Sequence, residues 1–166
     1  MDVDLDAAGP NQGTVVNRLV RGALAGVVAT VPMSLVVAAG SAAGPLRDPP
    51  PEQISATAAW KAGLRDDLTG ASFSVAWMAG HLAYGGACGA LYGALRPALP
   101  EDRVAAGLVW GGGVWAVSYG LLMPAMGLYP PPSRQDPARS AWMLVAHAVY
   151  GVALEIADRR IGRRAP

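Results

Sequence analysis

Four stretches of this chain, residues 19–43, 73–95, 104–123 and 141–157, are apolar over a length that approaches or exceeds the ~18–20 residues a helix needs to cross ~30 Å of hydrocarbon. No other feature limits the fold as severely. Such segments call for lipid as solvent, and in lipid a helix satisfies every backbone N–H and C=O within its own segment. The composition agrees: 52% hydrophobic and 15% charged residues, with a mean hydropathy of +0.30, are unusual for one water-soluble core of 166 residues. The first stretch shares features with a signal peptide, with Arg18 and Arg21 at its start and Ser41-Ala42-Ala43 at its end. It is too long for the apolar core of such a peptide, and an acidic segment (Asp2, Asp4, Asp6) leads into it. A retained transmembrane helix is therefore expected.

Charge then orients the chain. Four spans place Arg18, Arg21, Arg96, Arg103, Arg159, Arg160, Arg163 and Arg164 on one side and Arg47, Lys61, Arg65, Arg134 and Arg139 on the other. The excess of basic residues on the first side predicts a multi-pass membrane protein with both termini cytoplasmic. Net charge is only +1 and no basic block precedes the C-terminal "DRRIGRR", so nucleic acid is not an expected partner. The expected partner is the bilayer itself. Cys88 is the only cysteine; it cannot form an intramolecular disulfide and reads as a small buried filler.

Between the spans the chain reads as follows. Residues 1–17 are expected to be a mobile tail, residues 18–158 a single transmembrane domain, and residues 159–166 a basic tail that anchors the last helix. The Pro-rich "GPLRDPPPEQ" is expected not to be helical. After it, Ala56, Trp60, Leu64 and Leu68 recur every four residues with Lys61 and Arg65 beside them, which predicts a short interfacial helix over about 55–68. A gating role is open to this helix, and so is a passive one. "RPALPEDR" makes an inner turn whose Glu101 and Asp102 suit the start of the third helix, and "GLYPPPSRQDPARS" makes the second outer loop.

The four stretches follow one plan twice. The first carries Gly22-x-x-x-Gly26 and the third Gly107-x-x-x-Gly111; each reaches a Pro and Met pair (Pro32-Met33, Met123-Pro124) and each leads to a proline triplet. The second carries His81-x-x-Tyr84-Gly85 and the fourth His147-x-x-Tyr150-Gly151. Two helical hairpins entering the membrane in the same direction form parallel repeats, which places both histidines in the outer half of the bilayer, about 9–12 Å below the outer helix ends. Lipid gives helices no hydrophobic reason to associate, so close approach through small residues carries the packing. Gly85, Gly89 and Gly93 form one such strip, complementing Gly22, Gly26, Gly107 and Gly111.

Ionisable groups in hydrocarbon need a partner, a cavity or water, and so point to function. His81, Tyr84, Cys88 and Tyr92 share one helical face; His147, Tyr150 and Leu154 mirror them, with Glu155 near the inner end and Arg159 four residues later to neutralise it. These groups outline a path for a proton or small solute from outer His81 and His147 to inner Glu155. A second reading makes the two histidines ligands of a haem or a metal ion. Met33, Met78, Met123, Met126 and Met143 would admit copper, although scattered methionine is ordinarily packing. A third reading has each imidazole merely tie helices together. Trp77, one turn before His81, is placed to stack on it or gate it, and Trp60, Trp110, Trp115 and Trp142 include interface anchors. No Ser/His/Asp arrangement, nucleotide-binding glycine loop or H-E-x-x-H motif is present, so an enzyme is not expected.

With Gly22-x-x-x-Gly26 before Pro32-Met33, "HLAYGGACGALYG", Trp115 with "MPAMGLYP", and "HAVYG", the chain resembles the YagU-like family of small bacterial inner-membrane proteins over about residues 18–157. The resemblance implies an inner-membrane location and an association with acid tolerance, with no established reaction or ligand. The chain departs from it in its acidic N-terminus and first outer loop. The expected architecture is thus all-α: an integral membrane four-helix bundle of two parallel hairpin repeats plus a short interfacial helix. No resident cofactor is expected under the first reading, and a conducting pore through so few helices would call for a homo-oligomer.

Overall fold

The computed structural model describes residues 10–64 and 66–163. Helix is the only regular structure among them. Helix α1 spans Pro10–Ala43 without interruption at Pro32. It thus begins before residue 19, and residues 10–17, expected in the tail, are helical; residues 1–9 of that tail lie outside the described residues. Its end is set by Gly44, whose φ of +104° is left-handed and lets the N–H groups of Gly44 and Leu46 both return to the Gly40 carbonyl at 3.1 Å.

Helix α2 (Pro50–Lys61) corrects the expected boundaries at both ends. The Pro-rich connection does enter the helix, because Pro50 and Pro51 occupy its first turn, where the missing N–H has no partner to lose. It stops at Lys61 rather than near 68, since Gly63 turns left-handed (φ +73°). Leu64 and Leu68 therefore lie beyond it, and Arg65 falls outside the described residues. Helix α3 (Gly70–Leu95) starts three residues earlier than expected, with Ser72 Oγ accepting from Thr69 N at 3.0 Å.

Helix α4 runs over Arg103–Ala125, capped by Asp102, whose carboxylate accepts from Ala105 N at 2.8 Å. Within it, Ser118–Leu122 widens into a π turn. Pro124 follows directly, and a proline can neither donate to the carbonyl four residues back nor tolerate it closely. Helix α5 (Pro137–Gly162) is capped by Asp136 and extends past both expected ends, taking residues 159–162 from the expected basic tail. Three of these helices, α1, α4 and α5, are long and apolar enough to cross a membrane. Helix α3 is as long as α5, but glycine, serine, His81 and two tyrosines dilute its apolar character.

Glycine decides which helices touch. A Cβ on Gly26 would stand 2.2 Å from the Gly85 carbonyl oxygen, and one on Gly22 2.2 Å from that of Gly89, so α1 and α3 meet backbone to backbone, antiparallel. Helices α4 and α5 meet in the same way through Gly111 against the His147 carbonyl, at 2.1 Å, and Gly107 against that of Gly151. The second seam is slipped by one turn relative to the first, since Gly26 faces the residue four beyond His81 whereas Gly111 faces His147 itself. A third seam joins α1 to α5: Ala25, Ala29, Met33 and Val37 of α1 and Met143, Ala146, Tyr150 and Leu154 of α5 belong to one buried cluster. Trp142 Nε1 donates across this seam to the Val36 carbonyl at 2.8 Å. It thus ties helices together, as do the half-buried Trp110 and Trp115, which pack against the core, while Trp60 is exposed.

The order around the molecule is therefore α3, α1, α5, α4. The last pair, α3 and α4, approaches more loosely, through Tyr84 with Ser118 and Tyr92 with Trp110. Outside, the sorting of a water-soluble protein is reversed. Leu35, Val75 and Leu121 are two-thirds exposed or more, while much of the interior is alanine and glycine. A contiguous aliphatic exterior of this kind is stable against lipid and not against water.

Candidate functional site

The loose α3/α4 approach leaves a cavity of about 240 Å³. Helix α3 contributes His81, Tyr84 and Cys88; α4 contributes Val114, Ser118, Tyr119 and Met123; α5 contributes His147 and Tyr150; α1 contributes Thr30 and Met33. Helix α2 crosses one end with Pro51, Ile54, Ser55 and Ala58. Gly80 and Tyr84 line the cavity and are also exposed, so it reaches the flank of the molecule between α3 and α4. Residues about 66 positions apart in the sequence, His81 and His147, thus line one space.

Their surroundings differ, as the one-turn slip requires. His147 is 4% exposed. Its Nδ1 lies 2.8 Å from the Met143 carbonyl, an acceptor, so Nδ1 carries the proton and Nε2 is the ring nitrogen left for any ligand. Tyr119 stands edge-on to this ring at 5.5 Å, and Tyr129 stands edge-on to Tyr119 at 5.6 Å. Arg139 donates to the Tyr129 hydroxyl at 2.7 Å. Burial raises the Tyr129 phenol above its ordinary value, and the Arg139 hydrogen bond works against that rise. His81, by contrast, has a buried Nδ1 with no hydrogen-bond partner among the described residues, and its ring lies 6.3 Å from Trp77.

Four further polar side chains of the cavity are held by protein. Tyr84 and Ser118 hydroxyls share a hydrogen bond at 2.7 Å, Tyr150 donates to the Gly85 carbonyl at 2.6 Å, and Thr30 donates to Gly26 O at 2.9 Å. Gly85 leaves room for this last side chain, since a Cβ there would lie 2.0 Å from Thr30 Oγ1. Thr30, Ser118 and Tyr119 are site residues that the sequence reading missed. Only the proline two residues after Leu122 hinted that this segment departs from regular helix.

Glu155 lies elsewhere. It does not line this cavity and sits 2% exposed at the opposite end of the molecule, where Arg96 Nε donates to it at 3.1 Å and Arg159 and the Tyr92 hydroxyl also donate. Tyr92 thus continues the His81–Tyr84–Cys88 face, but toward an ion cluster rather than into the cavity. Beside it, Asp158, also buried, pairs with Arg21 at 2.8 Å and ties α5 to α1. For metal chemistry, the described residues contain no grouping of three or more His, Cys, Asp or Glu side chains that could hold an ion.

The fold and cavity define a class: an all-helical protein with membrane-like helices around an internal, largely apolar pocket. The chain belongs to a family of unknown function, DUF6789, whose model matches residues 16–165. The resemblance drawn from its motifs is met at that coarser level, a family without an assigned activity, and not by the YagU-like family by name. No curated protein and no solved structure matches the chain.

Proposed function

We propose that this is a four-span membrane protein that admits a small solute, mostly apolar with a polar group, to the His81/His147 cavity and conducts it or responds to it. One observation carries the reading: two imidazoles from distant segments line one pocket, and the Met143 carbonyl engages only the Nδ1 of His147. Polar atoms inside a protein are nearly always satisfied, so a water or a ligand is the natural complement of the Nε2 that this leaves. The largely aliphatic and aromatic lining sets the rest of the preference. Helix α3 counts as the fourth span through its length and its seam with α1, and the paired glycine seams support two hairpins of one plan. Kinship with YagU-like proteins belongs to the same proposal, as do an inner-membrane location with cytoplasmic termini, a link to acid tolerance and assembly into homo-oligomers.

Passage to the other end would require movement, because Tyr150, Leu154 and the Tyr92–Glu155 contact are buried below the cavity. Haem or metal ligation by His81 and His147 is the second reading. The free Nε2 of His147 favours it, since metal-bound imidazoles typically commit the other nitrogen to a carbonyl or carboxylate.

Reconstitution into liposomes tests the first reading, with a panel of small neutral solutes and an entrapped pH dye. The protein should raise flux of at least one above that of empty liposomes, and His81→Ala with His147→Ala should reduce it about tenfold, the size expected from losing about 1.4 kcal/mol of favourable interaction. Flux equal to empty liposomes, or unchanged by both substitutions, would refute it; a Soret band or bound metal in the purified protein would favour the second reading.

A further inference from the structure

Where α4 begins and α5 ends, a groove of about 280 Å³ is bordered by Arg103, Arg159, Arg160 and Arg163 and floored by Val104, Val152 and Ile156. Its one carboxylate, Glu155, is already taken by Arg96, Arg159 and Tyr92. Of the neighbouring acids, Asp158 binds Arg21 and Asp102 caps its own helix, while Glu101, two residues before Arg103, is exposed and pairs with none of these arginines. Arg103, Arg160 and Arg163 have no acidic partner among the described residues. Three uncompensated guanidinium groups therefore gather at one end of membrane-like helices.

The surface beside them is the second half of the argument. Val104 and Ile156 are about half exposed, and Leu108, one turn further along α4, is similarly exposed. A guanidinium offers a planar fork of donors matched to phosphate oxygens, and a strip of aliphatic side chains leading away from it matches a hydrocarbon chain. Free phosphate would use the arginines and have no use for the strip.

We propose that this groove is a binding site for an anionic phospholipid, with the phosphate held by Arg103, Arg160 and Arg163 and an acyl chain lying along Val104, Leu108 and Ile156. The site rests on the membrane reading of the chain and is independent of the His81/His147 cavity, so either can fail alone.

The test is made on the full chain in nanodiscs of equimolar phosphatidylcholine and phosphatidylglycerol, with retained lipid counted by native mass spectrometry. The wild type should retain phosphatidylglycerol over phosphatidylcholine by about tenfold, and R103Q/R160Q/R163Q should bring that preference to about twofold or less, a roughly fivefold loss that matches about 1 kcal/mol, the contribution of a single basic side chain near an anionic headgroup. R103K/R160K/R163K should keep most of the preference, and Arg134→Gln, at the other end of the molecule, all of it. Circular dichroism establishes that each variant remains helical. Equal retention of the two lipids by the wild type, an unchanged preference in the triple Gln variant, or displacement of phosphatidylglycerol by millimolar inorganic phosphate alone would overturn the proposal.

Discussion

Gly26 shows how much one missing methyl group can decide. Its α-carbon approaches α3 so closely that an added Cβ would meet the Gly85 oxygen at 2.2 Å and Gly89 Cα at 2.9 Å, both backbone atoms that cannot rotate away. Gly26→Ala should force α1 and α3 apart and destabilise the protein by about 1–3 kcal/mol, the usual cost of overpacking, seen as a lower melting temperature in detergent. Gly113 is also in a helix but has nothing within 4 Å of the same position. Gly113→Ala should leave the melting temperature unchanged or raise it slightly, since alanine is the better helix former. Equal losses at both positions would show that helix propensity, not close packing, governs these glycines. At this scale much could be read from the chain: His81, Tyr84, His147 and Tyr150 do line one cavity, and Arg159 does neutralise Glu155. The partnership of Asp158 with Arg21 could not be read, because the two are 137 residues apart and only folding brings them together.

Among the elements, α2 has the most consequential position, lying across the cavity. Its far end is held by Lys61, whose Nζ donates to the Met126 carbonyl at 2.7 Å, just before the left-handed Gly127. Lys61→Ala removes that bond, worth about 1 kcal/mol for an exposed group, and should let α2 lift more often. Cys88, the only thiol and a lining residue of the cavity, reports the event. Labelling of Cys88 by a small methanethiosulfonate reagent, followed by mass shift, should proceed about fivefold faster in the variant. An unchanged rate would mean that α2 is not the barrier to the cavity. The start and end of α2 escaped the sequence reading for a local reason: prolines that exclude a helix interior are welcome in its first turn. The π turn escaped it because Pro32 and Pro124 look alike in sequence, yet α1 passes Pro32 unbroken while α4 widens just before Pro124.

At the scale of the molecule, the seams run α3 to α1 to α5 to α4, and the long helices alternate in direction. Residues 96–102, the start of α1 and the end of α5 therefore lie at one end of the molecule, and residues 62–64, 66–69 and 128–136 at the other. With the basic residues weighted to the first end, green fluorescent protein fused to either terminus should fluoresce in bacteria, and alkaline phosphatase inserted at residues 62–69 or 128–136 should be active. Active phosphatase at a terminus would invert this orientation.

The sequence alone determined that the chain is helical and that α1, α4 and α5 fall on long apolar stretches, because those properties follow from hydropathy, helical period and the need to satisfy backbone groups locally. It also shows the spacing His-x-x-Tyr-Gly twice, at His81 and at His147. Tertiary structure alone decided that the α4/α5 glycine seam is slipped by a turn from the α1/α3 seam, that α3 and α4 part to leave a cavity, and that Glu155 belongs to an ion cluster rather than to that cavity. Those outcomes turn on whether two backbones meet at one glycine or the next, a difference of a few ångströms. No periodicity encodes it, because every register of a glycine-spaced strip looks the same until both helices are in place.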